Sequence, residues 1–478
     1  MSKMASNRSV IAKRFSWYEQ KIGNWVILFY FILALSSVTL LKPYLDPLPI
    51  SNLQLSMGTD HTKLVIEDTN SSQKLNLSSS LQPSVSSGEV ILKQERKPIC
   101  NVSDPRFDIC DIEGDVRIHG NSSSIFIASS SQMDALEGNK SWLIKPHPRK
   151  GDPNAMRFIR EFSVKAIVGQ EEAPPCSVYH SVPAVVFSHG GYSRNLFHSF
   201  SDVLIPVFET SAQFQGEVQF LVTNFEKHLI IKFQAILKQL SNYEIIDIDS
   251  DDQVHCYPRM IVGVKFYKDL KIDPFISNGY SMKMFRQLLI NAYSLKKFTA
   301  IKISPDTQEK PRLLILSRKG SRSFMNVDEI AEMAKSLGFE VVVSEGMKNM
   351  EEFSHVVNSC DVMLGVHGAG LTNMVFLPTN AILIQVLPWG GFDWVASNCY
   401  GQPPLGMDLR YLIYKIKEEE SSLLQKYTLD DPVIKDPTSI HKHNWNQFQS
   451  VYMDKQNVKI DVGRFRATLL EALELLHH

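Results

Sequence analysis

Several things are missing from this sequence of 478 residues. There is no long basic block: 50 Lys and Arg face 51 Asp and Glu, for a formal net charge of −1. Bulk electrostatics therefore gives no reason to expect a nucleic-acid partner. None of the six cysteines (Cys100, Cys110, Cys176, Cys256, Cys360, Cys399) forms a Cys-x-x-Cys pair, which argues against a zinc site. Gly-x-Gly-x-x-Gly is absent, and so is a Gly-Lys-Ser or Gly-Lys-Thr ending. Those absences exclude the dinucleotide fingerprint and the Walker loop. No internal repeat is visible. In an oxidising compartment Cys100 and Cys110 could close a short loop, but free buried thiols are the alternative, and spacing does not choose among the pairings.

What is present begins with one apolar run, Ile22 to Leu41, "IGNWVILFYFILALSSVTLL". It carries no charge and has about the 20 residues that a spanning helix needs. Lys3, Arg8, Lys13, Arg14 and Lys21 precede it. This bias predicts a cytosolic tail over 1–21, an uncleaved signal anchor over 22–41 and a lumenal remainder. A cleaved signal peptide is the alternative, with a shorter apolar core and a small-residue cleavage site. Five Asn-x-Ser triplets, at Asn70, Asn76, Asn101, Asn121 and Asn139, follow the run and are expected to be glycosylated in a secretory lumen. Residues 42–98 are rich in Ser, Asn, Gln and Thr without periodicity. They read as a flexible stem, because they bury too little apolar surface to offset their ordering entropy.

From residue 99 onward the pattern alternates. "PAVVFS", "EVQFLVT" and "YEIIDID" read as strands; "KHLIIKFQAILKQL" reads as a helix, and Ser193 is expected to cap another that runs through "RNLFHSFSDVLIPVFETS". The second half is plainer. "RLLILS", "FEVVVSE", "DVMLGV" and "AILIQVLP" are strands separated by helical patterns, one opened by a capping box at Asn326 to Glu329 and ended by Gly338. Such alternation predicts an α/β fold with parallel sheets of Rossmann type, with domains over 99–295 and 296–478.

Two loops carry the chemistry. After "DVMLGV" the chain interrupts its core with His367-Gly368-Ala369-Gly370. Glycines let the backbone turn tightly and approach a ligand, and amides around Leu371, Thr372 and Asn373 are expected to point outward at a helix start, ready for a diphosphate. Arg318, Lys319 and Arg322 follow another strand end and could supply the cation that a leaving diphosphate needs. A tight turn around a buried histidine is the bland reading. In the first half, Asn195, His198 and Asp202 share one helical face beside His189-Gly190-Gly191. A carboxylate beside an imidazole makes it more basic and fixes its tautomer, so this trio is the candidate for general-base chemistry, against a merely solvated face. Asp247-Ile248-Asp249 is a weak metal-binding alternative, since alternation in a strand sends both carboxylates to one face. Glu420, in "EEESSLLQKY", could reach a ribose or simply open an exposed charged helix.

"ICDIEGDVRIHG", "GGYSRNLFHSFSDVLIPVF", "PRLLILSRKGSRSFMN" and "GVHGAGLTNMVFLP" occur in that order, and together they resemble the plant glycosyltransferases of family sixty-one, over roughly Ile99 to the C-terminus. The resemblance implies a GT-B architecture, two Rossmann-like domains facing a cleft, and inverting transfer from a UDP-sugar without an essential metal, manganese included. It implies donor binding by Arg318, Arg322 and His367 to Gly370, and a base among Asn195, His198 and Asp202. Most plant members of this kind decorate xylan with xylose or arabinofuranose, which implies UDP-xylose or UDP-arabinofuranose as donor; a more distant branch adds xylose to N-glycan cores. Tail, anchor and stem suit a single-pass type II protein of the Golgi membrane. A membrane-anchored carbohydrate-binding protein with an inactive transferase fold is the rival from another class.

Overall fold

The computed structural model describes residues 98–129, 140–168, 173–306, 308–346, 349–442 and 444–478. The expected tail, anchor and stem, and the sequons Asn70, Asn76 and Asn139, lie outside the described residues. Among the described residues no helix is long and apolar enough to cross a membrane. Asn101 and Asn121 are both exposed.

The described residues build two sheets. The second has five strands: β11 (Arg312–Leu316), β12 (Glu340–Ser344), β13 (Val362–Val366), β14 (Ile382–Leu387) and β15 (Arg410–Lys415). All are parallel, in the order β12-β11-β13-β14-β15. β13 and β14 are buried at every position, as central strands covered on both faces must be. Helices α4 (Val327–Ser336) and α5 (Met350–Asn358) connect the first three strands. Ile330, Ala331 and Ala334 form the buried stripe of α4. Gly338 follows it at φ 102°, the left-handed cap that ends a helix. Asn326 does not close the expected capping box. Its amide instead donates to the Ile460 carbonyl (2.8 Å) and its oxygen accepts from the Ile460 amide (3.0 Å), so it fastens the chain that leads into α6 (Val462–His477).

The first sheet is mixed: beside a parallel part of the expected kind it carries strands that the expectation did not include. Its parallel part is β10 (Val254–Val262), β7 (Ala184–Ser188), β8 (Gln219–Thr223) and β9 (Ile246–Asp247). Onto β10 a largely antiparallel extension is added from residues 100–168: β1 (Cys100–Asn101), β2 (Ile109–His119), β3 (Ser124–Ser129), β4 (Ser141–Ile144) and β5 (Phe162–Val168). Only the β3–β5 pair within it is parallel. β6 (Val178–Tyr179) adds a short parallel pairing to β10. β2 is long and alternates, with Cys110, Ile112, Val116 and Ile118 buried, the pattern of a sheet with one covered face. Cys100 and Cys110 are register partners across β1 and β2 and form a disulfide; a second joins Cys176 to Cys256. Cys360 and Cys399 are free thiols.

Helix α1 (residues 196–211) follows β7 and is not a plain α-helix. Asn195, not Ser193, is its cap, accepting from the Phe197 amide at 3.0 Å. Ser199–Leu204 is π-helical, and the Ile205 amide reaches back to the Phe200 carbonyl. Pro206 has no N–H for the Asp202 carbonyl, so the ladder widens just before it. α1, α2 (Lys227–Leu240) and α3 (Met282–Tyr293) supply core to the first sheet, and one apolar cluster runs unbroken from Val185 to Leu476. Arg286 on α3 ties the halves together, donating to the carbonyls of Val375, Leu377 and Met407.

Candidate active site

Two loops at carboxyl ends of parallel strands meet here, as the general placement of ligands in open α/β sheets requires. The first follows β13. His367 is buried and accepts at Nδ1 from Gln385 Nε2 (2.6 Å), whose oxygen accepts from the Tyr411 hydroxyl (2.7 Å). Burial, reinforced by Arg322 and Arg318, pushes its pKa down to about 3. It is therefore a neutral, fixed ring. Gly368 has φ 153°, and a Cβ there would collide with Arg318 Nη1 and fall 2.8 Å from Arg322 Nη1. Both guanidiniums thus press against the loop.

Arg322 donates to the His367 carbonyl at 2.9 Å, while its Nε is buried without a partner. Among the described residues no carboxylate forms an ion pair with Arg318 or Arg322. Burial, then repulsion from Arg318, lowers the Arg322 pKa to about 10, and burial also lowers that of Arg318. Two partly desolvated cations without an ion-paired carboxylate among the described residues make a site that binding of an anion would relieve. Lys319 is not part of it: its ammonium pairs with Glu345 at 2.6 Å on the surface.

The helix start differs from expectation. Ala369–Phe376 is a 3₁₀ stretch; Leu371, Thr372 and Asn373 are buried, and the Leu371 amide closes a turn on the Gly368 carbonyl (2.9 Å). Thr372 contacts the Tyr400 hydroxyl (3.2 Å) and the Asn373 side-chain amide Nδ2 donates to the Gly370 carbonyl (2.8 Å). The i→i+3 pattern uses amides one residue sooner than an α-helix does. The charge at this corner comes from the arginines.

The second loop follows β7. Asp202 is fully buried on the π-helical stretch. Its Oδ2 accepts from His198 Nδ1 (2.8 Å) and from Arg149 Nε (2.6 Å), and its Oδ1 has no partner. Burial alone would raise its pKa, but the hydrogen bonds from His198 and Arg149 outweigh that and hold it below the ordinary value. An ionised carboxylate only accepts, so Nδ1 of His198 carries a proton toward Asp202 and Nε2 is the ring nitrogen left for the cleft. His147 and His189 are buried nearby, each pushed by burial to about 4. Tyr192 lies with its ring 4.9 Å from that of His198. Asn195 is spent as the cap of α1, in extended conformation outside the helix, so it does not share a helical face with His198 and Asp202.

A line of rings joins the loops. His198 contacts Phe197 (5.2 Å between centroids), Phe197 contacts Tyr400 (5.8 Å), and Tyr400 contacts His367 (5.5 Å). Two other candidates fall away from this line. Asp249 accepts from Arg160, Thr223 and the Asn224 amide, each at 2.6 Å, and Asp247 caps its own turn through Ser250. β9 stops at Asp247, so the two carboxylates do not share a strand face, and their oxygens are taken. Glu420 is buried, with its oxygens engaged by Tyr414, Arg464 and the amides of Lys417 and Asp461. It knots the C-terminal segment and has no oxygen left for a ribose. Arg149, Asp269 and Tyr400 complete the site and no sequence pattern pointed to them; "PHPRKGD" marks only a turn.

The family model described as Glycosyltransferase 61 matches residues 196–384, a span containing His198, Asp202, Arg318, Arg322 and the His367 loop. An alpha-1,3-arabinosyltransferase of Oryza sativa subsp. japonica is 45% identical over 389 residues, 81% of this chain and 66% of the relative. A beta-1,2-xylosyltransferase of the same organism is 42% identical over 391 residues, 79% of this chain and 84% of the relative. A xylan glycosyltransferase of Arabidopsis thaliana is 36% identical over 398 residues, 80% of each. The aligned part of the chain spans just under two thirds of the rice arabinosyltransferases, 66% and 65%. With the four motifs in order and this identity across most of the xylosyltransferase, the chain belongs to the glycosyltransferase 61 family.

Proposed function

We propose that this protein is an inverting glycosyltransferase that moves a pentose, xylose or arabinofuranose, from a UDP-sugar onto xylan. The observation that carries the reading is the pair of guanidiniums, buried Arg322 and half-buried Arg318, pressed against Gly368 with no ion-paired carboxylate among the described residues. A diphosphate supplies the missing charge. The names of the relatives, an arabinosyltransferase, a xylosyltransferase and a xylan glycosyltransferase, support pentose and xylan. Placement as a type II protein of the Golgi membrane rests on the anchor and sequons of the sequence. A GT-B arrangement divided near 295/296, and independence from a metal, belong to the same proposal.

In this mechanism the acceptor hydroxyl gives its proton to Nε2 of His198. Its oxygen bonds to the anomeric carbon on the face opposite the diphosphate. The bond between that carbon and the diphosphate oxygen breaks, and its electron pair leaves with UDP into the arginine corner, inverting the configuration. Stabilising that departing charge is the larger contribution, as is usual where charge develops on a leaving group.

The test uses the full chain in detergent. Titration with UDP is expected to show saturable binding that Arg322→Ala weakens. Incubation with UDP-xylose and UDP-arabinofuranose over xylan oligomers is expected to add the mass of one pentose, unchanged by EDTA. UDP binding without any pentose product from either donor would leave only a binding protein; no UDP binding would remove the donor assignment.

A further inference from the structure

Arg149 lies in the turn after β4, outside every motif read from the sequence. Its backbone sits at φ 71°, a left-handed conformation that a residue with a Cβ holds at a cost and keeps where its surroundings fix it. They do. The Asp152 amide bonds the Arg149 carbonyl (2.8 Å), the Lys150 amide bonds the Arg106 carbonyl (2.9 Å), and the Lys150 ammonium pairs with Asp108 (2.7 Å). The guanidinium lies over the Phe266 ring at 5.7 Å. It donates from Nε to Asp202 Oδ2 (2.6 Å) and from Nη2 to Asp269 Oδ1 (2.5 Å). Ser201, one residue before Asp202, donates to the same Asp269 oxygen at 2.9 Å.

Counting charge shows what this wiring does. Asp202 and Asp269 contribute two negative charges and Arg149 one positive. The cluster becomes neutral only when His198 is protonated, as it is after taking the acceptor proton. We infer that Arg149 and Asp269 are positioning residues that set, in opposite directions, the proton affinity of His198. This rests on the reading of His198 as the base. The positive charge of Arg149 lowers that affinity; the negative charge of Asp269 raises it. The other groups facing the cluster do not supply this balance. His147 stays neutral through burial. Tyr192 turns its hydroxyl to Asp152 (3.3 Å). The thiol of Cys399 is held protonated, its pKa pushed up to about 12 by burial and by Asp269.

The experiment compares the full chain with Arg149→Gln, Arg149→Lys and Asp269→Asn. One readout is the pH dependence of kcat/KM for the pentosyl donor. The other, independent of turnover, is the pH dependence of His198 modification by diethylpyrocarbonate, followed by peptide mass spectrometry. Losing a nearby charge moves a pKa by roughly one unit or more. Arg149→Gln is therefore expected to move both acid limbs up by about one unit, and Asp269→Asn to move them down. Arg149→Lys keeps the charge but not the two-point fork, so it restores the limb while kcat stays depressed. UDP affinity stays at the wild-type value in all three. Limbs that do not move, or that move the same way in Arg149→Gln and Asp269→Asn, overturn the inference. Should Arg149→Gln not fold, Asp269→Asn and Arg149→Lys still decide it. A wild-type chain without turnover whose His198 modification nonetheless shifts as described would sink the transferase reading and leave the inference standing.

Discussion

The loops after β7 and β13 are made from the same parts and wired to opposite charge. Each leaves a buried parallel strand with His-Gly, and each histidine is held neutral by burial, His189 at about 4 and His367 at about 3. Beyond that they diverge. The β7 loop faces Asp202, Asp152 and, through Arg149, Asp269; the β13 loop faces Arg318 and Arg322 with no ion-paired carboxylate. A neutral histidine and glycines provide shape without charge, so the sign of each corner is set by residues that arrive from elsewhere in the chain. A carboxylate-backed imidazole can hold a proton; paired guanidiniums can hold a diphosphate. One backbone device thus serves both ends of a displacement reaction.

The largest expected effect breaks the proton end. His198→Ala is expected to lower kcat by about 10²–10⁴-fold, the usual worth of a positioned base, with UDP affinity at the wild-type value by calorimetry. Breaking the other end should be smaller and of a different kind. Arg322→Ala removes a donor aimed at developing charge, worth about 10²–10³-fold, and is expected to raise the donor KM as well as lower kcat. If the two variants gave the same split between KM and kcat, the division of labour between the loops would be wrong.

A matched pair of glycine substitutions sharpens the comparison at lower cost to activity. Gly368→Ala places a methyl group against the ends of two flexible guanidinium chains. The chains can move, but at φ 153° an added Cβ also strains the backbone, so Tm is expected to fall here too, and the anion site is displaced; UDP binding should weaken about tenfold, on the scale of a lost charged hydrogen bond. Gly191→Ala, at φ 63°, places a methyl 2.5 Å from His147 Nε2. That ring is buried and packed. The expected outcome is a few-fold loss of kcat, a Tm lower by several degrees through strain of about 1–3 kcal/mol, and unchanged UDP binding. Crossed results, with Gly191→Ala weakening UDP, would undo the assignment.

Legibility in the sequence followed the kind of contact involved. The second sheet was readable because central parallel strands are continuous apolar runs, "RLLIL", "VMLGV" and "ILIQVL", separated by short amphipathic helices. His198 with Asp202 was readable because four residues along one helix is a contact that spacing alone predicts. The strands over residues 100–168 were not read. Their alternation is diluted by polar turns, and their partners, such as β10 for β2, lie far along the chain. Asn195 looked catalytic because it shares a register with His198, yet a helix start consumes it as a cap. Glu420 looked free because its partners Asp461 and Arg464 lie over forty residues away. Arg149 is the plainest case: 53 residues separate it from Asp202, and nothing local hints at the pairing.

The last expected effect is on stability and not on turnover, and it also distinguishes the loops. His147 and His189 belong to the first and His367 to the second, with pKa values near 4, 4 and 3 against an ordinary 6.5. In the unfolded chain each takes a proton as pH falls through about 6.5, whereas in the folded chain each stays neutral until about 4 or below. Within that window the unfolded state binds more protons, so stability rises with pH and is lost on acidification, by about 1.4 kcal/mol per pH unit for each such histidine. Asp202, with its lowered pKa, adds a further loss only below the ordinary carboxylate range. Tm is therefore expected to fall from pH 6.5 to 4.5, and hydrogen exchange to rise sooner around residues 189–198, with two of the three histidines beside them, than around 366–374. His189→Gln should flatten the slope by one proton's worth. A Tm that stays level across that window would mean that these imidazoles are charged and paired, and the shared neutral frame of the two loops would have to be abandoned.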